Sequence, residues 1–191
     1  MAFDTKQHAY VTLRDIVSQR TSPLVIWVGS GMSVPAGLPV WGTLKTKLVE
    51  ALRLKIESYD PADRASLQGR VQAISAQGNP WVAFQMLQRE LGPATYRDVI
   101  REAMRPADTA PAPIGYSQLW RLRPRGLINV NIDRLATKAF VETTAKTPLE
   151  FTGRAGTRLG YLLKEPRPFI LNLHGHADDA SSWIFTKERA G

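Results

Sequence analysis

An α/β fold, with a Rossmann-like parallel sheet flanked by helices, is predicted by three features of the 191-residue sequence. Residues 24–28, 126–131 and 169–173 are short apolar runs of the kind found in parallel strands covered on both faces. Amphipathic stretches separate them. Each run ends in small or polar residues: Gly29-Ser30-Gly31, then Asn131-Ile132-Asp133, then His174-Gly175. Ligands of open parallel sheets bind outside the carboxyl ends of the strands. These three ends therefore converge although they lie far apart in the chain.

Taken in order, residues 5–19 read as a helix with Tyr10, Leu13, Ile16 and Val17 on one face, broken by Thr21-Ser22-Pro23 before the first strand. After the glycine turn, Trp41, Leu44, Leu48 and Leu52 recur at helical spacing, which predicts a helix from Val40 to about Ser58. Asp60-Pro61, Asn79-Pro80 and Gly92-Pro93 each open a further helix, because proline is suited to the first helical position. No strand signal interrupts them, so residues of about 59–113 are expected to form a helical lobe inserted between the first and second strands of one domain spanning 1–191. The proline-rich stretch 106–113 reads as a linker. A short helix from Tyr116 to Leu122, the second strand, a helix from Asn131 to Thr143 and the third strand follow. Trp183-Ile184-Phe185 reads as a fourth strand.

Composition narrows the chemistry. The sequence has no cysteine, which excludes disulfides, thiolate catalysis and cysteine-ligated zinc. His174, His176, Asp178 and Asp179 are close in sequence, but a single His-x-His in a turn does not make a metal site, and no metal is expected. No run is long enough to span a membrane and the first residues lack a signal-peptide core, so the chain reads as cytoplasmic. Net charge is +8, and residues 120–170, with ten basic and four acidic side chains, carry most of it. Such a segment suits an anionic ligand, nucleic acid or a solvated face.

The stretch from Leu24 to Trp41 carries the densest local signal. A strand leading through glycines towards a helix N-terminus favours an anion there, through free N–H groups and the helix dipole. The spacing fits neither common nucleotide motif: no Gly-Lys-Ser/Thr is present, and Val34 stands where a dinucleotide fingerprint has its third glycine. A tight turn without a ligand explains the same residues. Asn131 and Asp133 equally suit capping of the helix after the second strand, and His174 before Gly175 suits a structural turn.

Gly29-Ser30-Gly31-Met32-Ser33, followed by Gly37-Leu38-Pro39-Val40-Trp41, then Asn131-Ile132-Asp133, then His174-Gly175, resembles the sirtuin family in kind and order. It is most similar to the sirtuin-like domains of bacterial anti-phage defence proteins, over about residues 24–186. The resemblance implies NAD+ as substrate, cleaved between nicotinamide and ribose. It places Gly29, Ser30, Gly31, Ser33 and Asp133 against NAD+, Asn131 on the nicotinamide ribose or the attacking water, and His174 as general base. A neutral imidazole near its ordinary pKa of about 6.5 suits that last role.

Departures from the family pattern choose the branch. Deacetylating sirtuins carry a four-cysteine zinc module that cannot exist here, and Val130 replaces the usual glutamine before the asparagine. Ser30 replaces the usual alanine, and Val40-Trp41 replaces the usual Phe-Arg. Water then becomes the expected acceptor, and the expected activity is NAD+ hydrolysis that depletes NAD+ in prokaryotic immunity. The alternatives are a non-catalytic NAD+ or ADP-ribose sensor, an NAD-dependent protein deacylase and a purely structural assembly domain. Sirtuin domains continue with further strands after His-Gly, so a C-terminally incomplete domain is implied. The resemblance further implies an activating or oligomerising partner, a C-terminal sensor module, or contact with a nucleic-acid-guided subunit.

Overall fold

The computed structural model describes residues 4–153 and 159–185. Four strands form one all-parallel sheet: β1 (Val25–Val28), β2 (Gly126–Asn129), β3 (Leu149–Thr152) and β4 (Phe169–Asn172), in the order β1-β2-β4-β3. The register pairs Val28 with Asn129, Asn129 with Asn172, and Thr152 with Asn172, so all four strands end level. This is an α/β, Rossmann-like arrangement in which every connection is a crossover.

The helices follow the prolines and the apolar stripes. α1 (His8–Gln19) precedes β1, and α2 (Trp41–Glu57) buries Leu44, Leu48, Leu52 and Ile56 on one face. Proline occupies the first position of α3 (Pro61–Ala76), α4 (Pro80–Leu91) and α5 (Pro93–Met104). At α4 the Asn79 Oδ1 also accepts the amides of Trp81 and Val82, satisfying two N–H groups that lack helical partners. α3, α4 and α5 pack on α2. The stretch expected as a linker opens with a single helical turn, α6 (Pro106–Thr109), before α7 (Ile114–Arg121) leads into β2.

α8 (Leu135–Thr144) lies against α7, where Trp120 packs edge-on to Phe140 at 4.7 Å between ring centres and donates its indole N–H to the Ala136 carbonyl at 2.9 Å. One continuous core joins Val28, Leu127 and Ile170 of the sheet to α2, α4, α5, α7 and α8. A smaller cluster on the opposite sheet face centres on Phe169, Leu171 and Leu162, the last on α9 (Leu159–Leu162).

The sequence reading needs four corrections. Trp183-Ile184-Phe185 is not a strand; Trp183 and Phe185 are buried as stacked rings 5.4 Å apart, so that apolar run closes over a core instead of joining a ladder. The fourth strand is Leu149–Thr152, too short and too mixed in polarity to show in the sequence. The helix expected from Asn131 begins at Leu135, because residues 130–134 form the loop that carries the polar triplet. β1 is also not covered on both faces. It is an end strand, and Trp27, on the side of the smaller cluster, stays 64% exposed. No helix among the described residues is long and apolar enough to cross a membrane.

Candidate functional site

β1 ends in two consecutive 3-10 turns, Ser30–Met32 and Val34–Ala36, closed by Gly37 at φ 82°, a backbone angle that favours glycine. Neither Gly29 nor Gly31 has such an angle. A Cβ on Gly29 would make only an ordinary contact with Val130 at 3.7 Å, and one on Gly31 would meet nothing within 4 Å. The fold therefore tolerates side chains at both positions. Their absence leaves open backbone that a ligand can approach.

Beneath this loop lies a buried polar network. Asn131, Ser33 and Asp133 are 5%, 2% and 4% exposed. Asn131 Nδ2 donates to the Gly29 carbonyl at 2.9 Å, to the Tyr116 hydroxyl at 2.9 Å and to Ser33 Oγ at 3.2 Å. Ser33 Oγ gives its proton to Asp133 Oδ2 at 2.7 Å, and Asp133 Oδ1 accepts the Leu135 amide at 3.0 Å. With the serine proton committed, the Tyr116 hydroxyl, 3.2 Å away, is left to donate to Ser33 Oγ. Asp133 thus caps α8 and anchors the glycine loop at once. Burial raises the Asp133 pKa, opposed by the Ser33 and Leu135 hydrogen bonds. Burial and the nearby Asp133 charge push the Tyr116 phenol up to about 12.

One atom of this network is unmet. Asn131 Oδ1 is buried and has no hydrogen-bond partner among the described residues. Such an orphaned acceptor costs about 1–3 kcal/mol unless something fills the position. A ribose hydroxyl or a water is the kind of donor it fits.

The strand ends below continue the polar path. Asn129 and Asn172 are register partners and both are buried. Asn129 Nδ2 donates to Asn172 Oδ1 at 2.9 Å, and Asn129 Oδ1 accepts the Asn131 amide at 3.1 Å. His176 continues the line, 3.5 Å from Asn172 Nδ2 and 3.5 Å from Glu150.

His174 is placed differently. Gly175 turns the chain at φ 82°, where a Cβ would strike the Ser182 carbonyl oxygen at 2.4 Å, and residues 180–185 fold back over the turn. The His174 Nδ1 lies 2.8 Å from the Ile184 carbonyl, which can only accept, so Nδ1 carries the proton and Nε2 keeps a lone pair. Trp41 and Trp81 each lie 5.3 Å from the imidazole centre, and Phe185 at 6.2 Å. A cavity of about 110 Å3 opens between these rings, Phe84 and Pro80. Burial lowers the His174 pKa, only partly opposed by the Ile184 hydrogen bond, so the ring is neutral at pH 7.

No family model matches the chain. A search of curated proteins also returns no relative.

The predicted residues therefore fall into two groups. Gly29, Ser33, Asn131 and Asp133 form one hydrogen-bonded unit, with Ser30 and Gly31 in its roof. His174 sits in the neighbouring loop, where Ala177 N donates to the Ile132 carbonyl at 2.8 Å, but its own contacts are aromatic rings and the Ile184 carbonyl. A cavity of about 570 Å3 lies beside the network, between α5, α6 and residues 132–134, with Arg101, Arg105 and Arg134 among its walls. Tyr116 and Trp81 were not singled out from sequence, since each reads as an ordinary apolar position on a helix, and Trp41 was marked only as part of the family pattern and of a helix stripe. His176 had a weak signal in the His-x-His spacing. The described residues include no cluster of three or more side chains suited to a metal.

Proposed function

We propose that this chain is a sirtuin-like NAD+ hydrolase domain that releases nicotinamide and leaves ADP-ribose. The observation that carries the reading is the buried Asn131: its amide N–H groups hold the glycine loop while its Oδ1 lacks a partner, at the carboxyl ends of parallel strands. The open backbone at Gly31 and the neutral His174 with an unprotonated Nε2 support it. In this reading Ser30 and Gly31 present backbone to the pyrophosphate, and Gly29, Ser33 and Asp133 keep that backbone in place. Asn131 Oδ1 orients a ribose hydroxyl or the attacking water, and His174 Nε2 accepts a proton. An oxocarbenium-like transition state at the ribose supplies the bond cleavage. The lack of cysteine, and with it of a zinc module, supports water as the acceptor over an acyl group. NAD+ depletion in prokaryotic immunity, under control of a partner or further domain, completes the proposal and rests on the sequence resemblance.

A non-catalytic NAD+ or ADP-ribose sensor is the second reading, favoured by one observation. Ser33, Asn131 and Asp133 are bonded chiefly to one another, an arrangement that sets a loop rather than presents reactive groups. Nicotinamide release from NAD+ by the full-length protein with its activating partner separates the two. The hydrolase predicts turnover that falls by about 10²–10⁴ in His174→Ala, the usual worth of a positioned acid–base group. Saturable NAD+ binding with no turnover in the parent would instead establish the sensor.

A further inference from the structure

A groove of about 700 Å3 lies at the amino ends of the strands, the opposite end of the sheet from the candidate site. Among the described residues its charged side chains are Arg20, Arg123, Arg125 and Lys146, with no carboxylate in the lining. Arg20 Nη1 donates to the Leu122 carbonyl at 2.7 Å, and Arg125 Nη1 donates to the Glu165 carbonyl. A carbonyl holds a guanidinium in position without cancelling its charge. None of the four cations is in an ion pair among the described residues, whereas Arg14, Arg70, Arg105 and Arg134 each have a carboxylate. Four positive charges are thus collected from three separate segments of the chain, two of them, Arg20 and Arg125, held by carbonyls. Three of the four cations, Arg123, Arg125 and Lys146, belong to the basic 120–170 region, and Arg20 joins them from the segment before β1.

We propose that this groove binds the phosphodiester backbone of a nucleic acid. Three of the four cations are arginines, whose planar fork matches phosphate oxygens. The aromatic residues in the lining, Trp120 and Phe140, are each 3% exposed, so they give a base no face on which to stack. Contact is confined to the backbone, and binding is indifferent to sequence. The spread of the cations along a groove far larger than one phosphate favours a strand over a free nucleotide.

The test is fluorescence anisotropy of a labelled short oligonucleotide, single-stranded and duplex, titrated between about 50 and 200 mM salt. Arg123→Gln and Lys146→Gln remove one exposed cation each, and Arg53→Gln on α2 removes an equal charge outside the groove. Two oligonucleotides of different sequence are expected to bind alike. Each groove variant is expected to reduce the salt slope by about one, and Arg53→Gln is expected to leave it unchanged. Equal losses in all three variants would show a non-local effect of net charge and overturn the site. Absence of binding at the lowest salt would overturn it too, as would full competition by stoichiometric inorganic phosphate or a mononucleotide. All these readouts are independent of NAD+ turnover.

Discussion

Around Ser33, Asn131, Asp133 and Tyr116 nearly every polar atom is bonded to another, whereas around His174 the neighbours are rings and one carbonyl. The first half of the candidate site holds a buried carboxylate by hydrogen bonds. The second lowers the pKa of a half-buried imidazole by setting it among aromatic rings. Both sit on loops that leave adjacent parallel strands, so their positions derive from one register but their stabilities derive from different forces. Hydrogen bonds in the network set where the loop lies. Partial apolar burial in the box lowers the pKa of the histidine.

Removing a ring tests the box hardest. Phe84 is 2% exposed on α4, 5.6 Å from Trp41 and 6.1 Å from Phe185. Phe84→Ala is expected to lower stability by about 3–5 kcal/mol, from lost burial plus the cavity left behind. Urea unfolding reads this directly. A loss under about 1 kcal/mol would mean that the box collapses around the gap and is not a packed unit.

A much smaller change is expected in the network. Tyr116→Phe removes one hydroxyl, yet Asn131 Nδ2 keeps the Gly29 carbonyl and Ser33 Oγ as acceptors, and Ser33 keeps Asp133. No buried donor is stranded, so the cost is expected near 1 kcal/mol. A loss several-fold larger in the same urea assay would show that the hydroxyl is the keystone of the loop anchor and that its bonds are strongly cooperative.

What the sequence revealed follows the same division. Strands β1, β2 and β4 were legible because each is a short apolar run, although β1 is an end strand with Trp27 exposed, and α3, α4 and α5 because each carries proline at its first position. β3 was not, since Leu149-Glu150-Phe151-Thr152 is four residues of mixed polarity whose strand state depends on pairing with β4. The positions of Ser33, Asn131, Asp133 and His174 at strand ends could be read from the chain. Their partners could not. Tyr116 looks like one more apolar residue on a helix until the fold sets its hydroxyl 2.9 Å from Asn131. Trp183 and Phe185 mimic a strand because they meet the hydrophobic demand of one without making its ladder. The double duty of Asp133, as helix cap and loop anchor, was visible only as the cap.

The two halves also respond to acid with opposite sign. Burial lowers the His174 pKa below 6.5, so between 6.5 and the folded value the unfolded chain binds more protons. Its contribution to stability is complete above pH 6.5 and is lost as pH falls towards the depressed folded value. Burial raises the Asp133 pKa above 3.8, so the folded chain binds more protons between 3.8 and the raised value, and acid stabilises through this group. His176, also lowered chiefly by burial, acts in the same direction as His174. The urea midpoint is therefore expected to fall as pH drops just below 6.5, and His174→Gln is expected to flatten that fall in part, with His176 supplying the remainder. Asp133→Asn is expected to remove the gain that the parent makes by protonating the carboxyl, and so to steepen the loss as pH falls. If His174→Gln leaves the slope below pH 6.5 unaltered, the imidazole is as accessible to protons folded as unfolded, and the aromatic box does not hold it neutral.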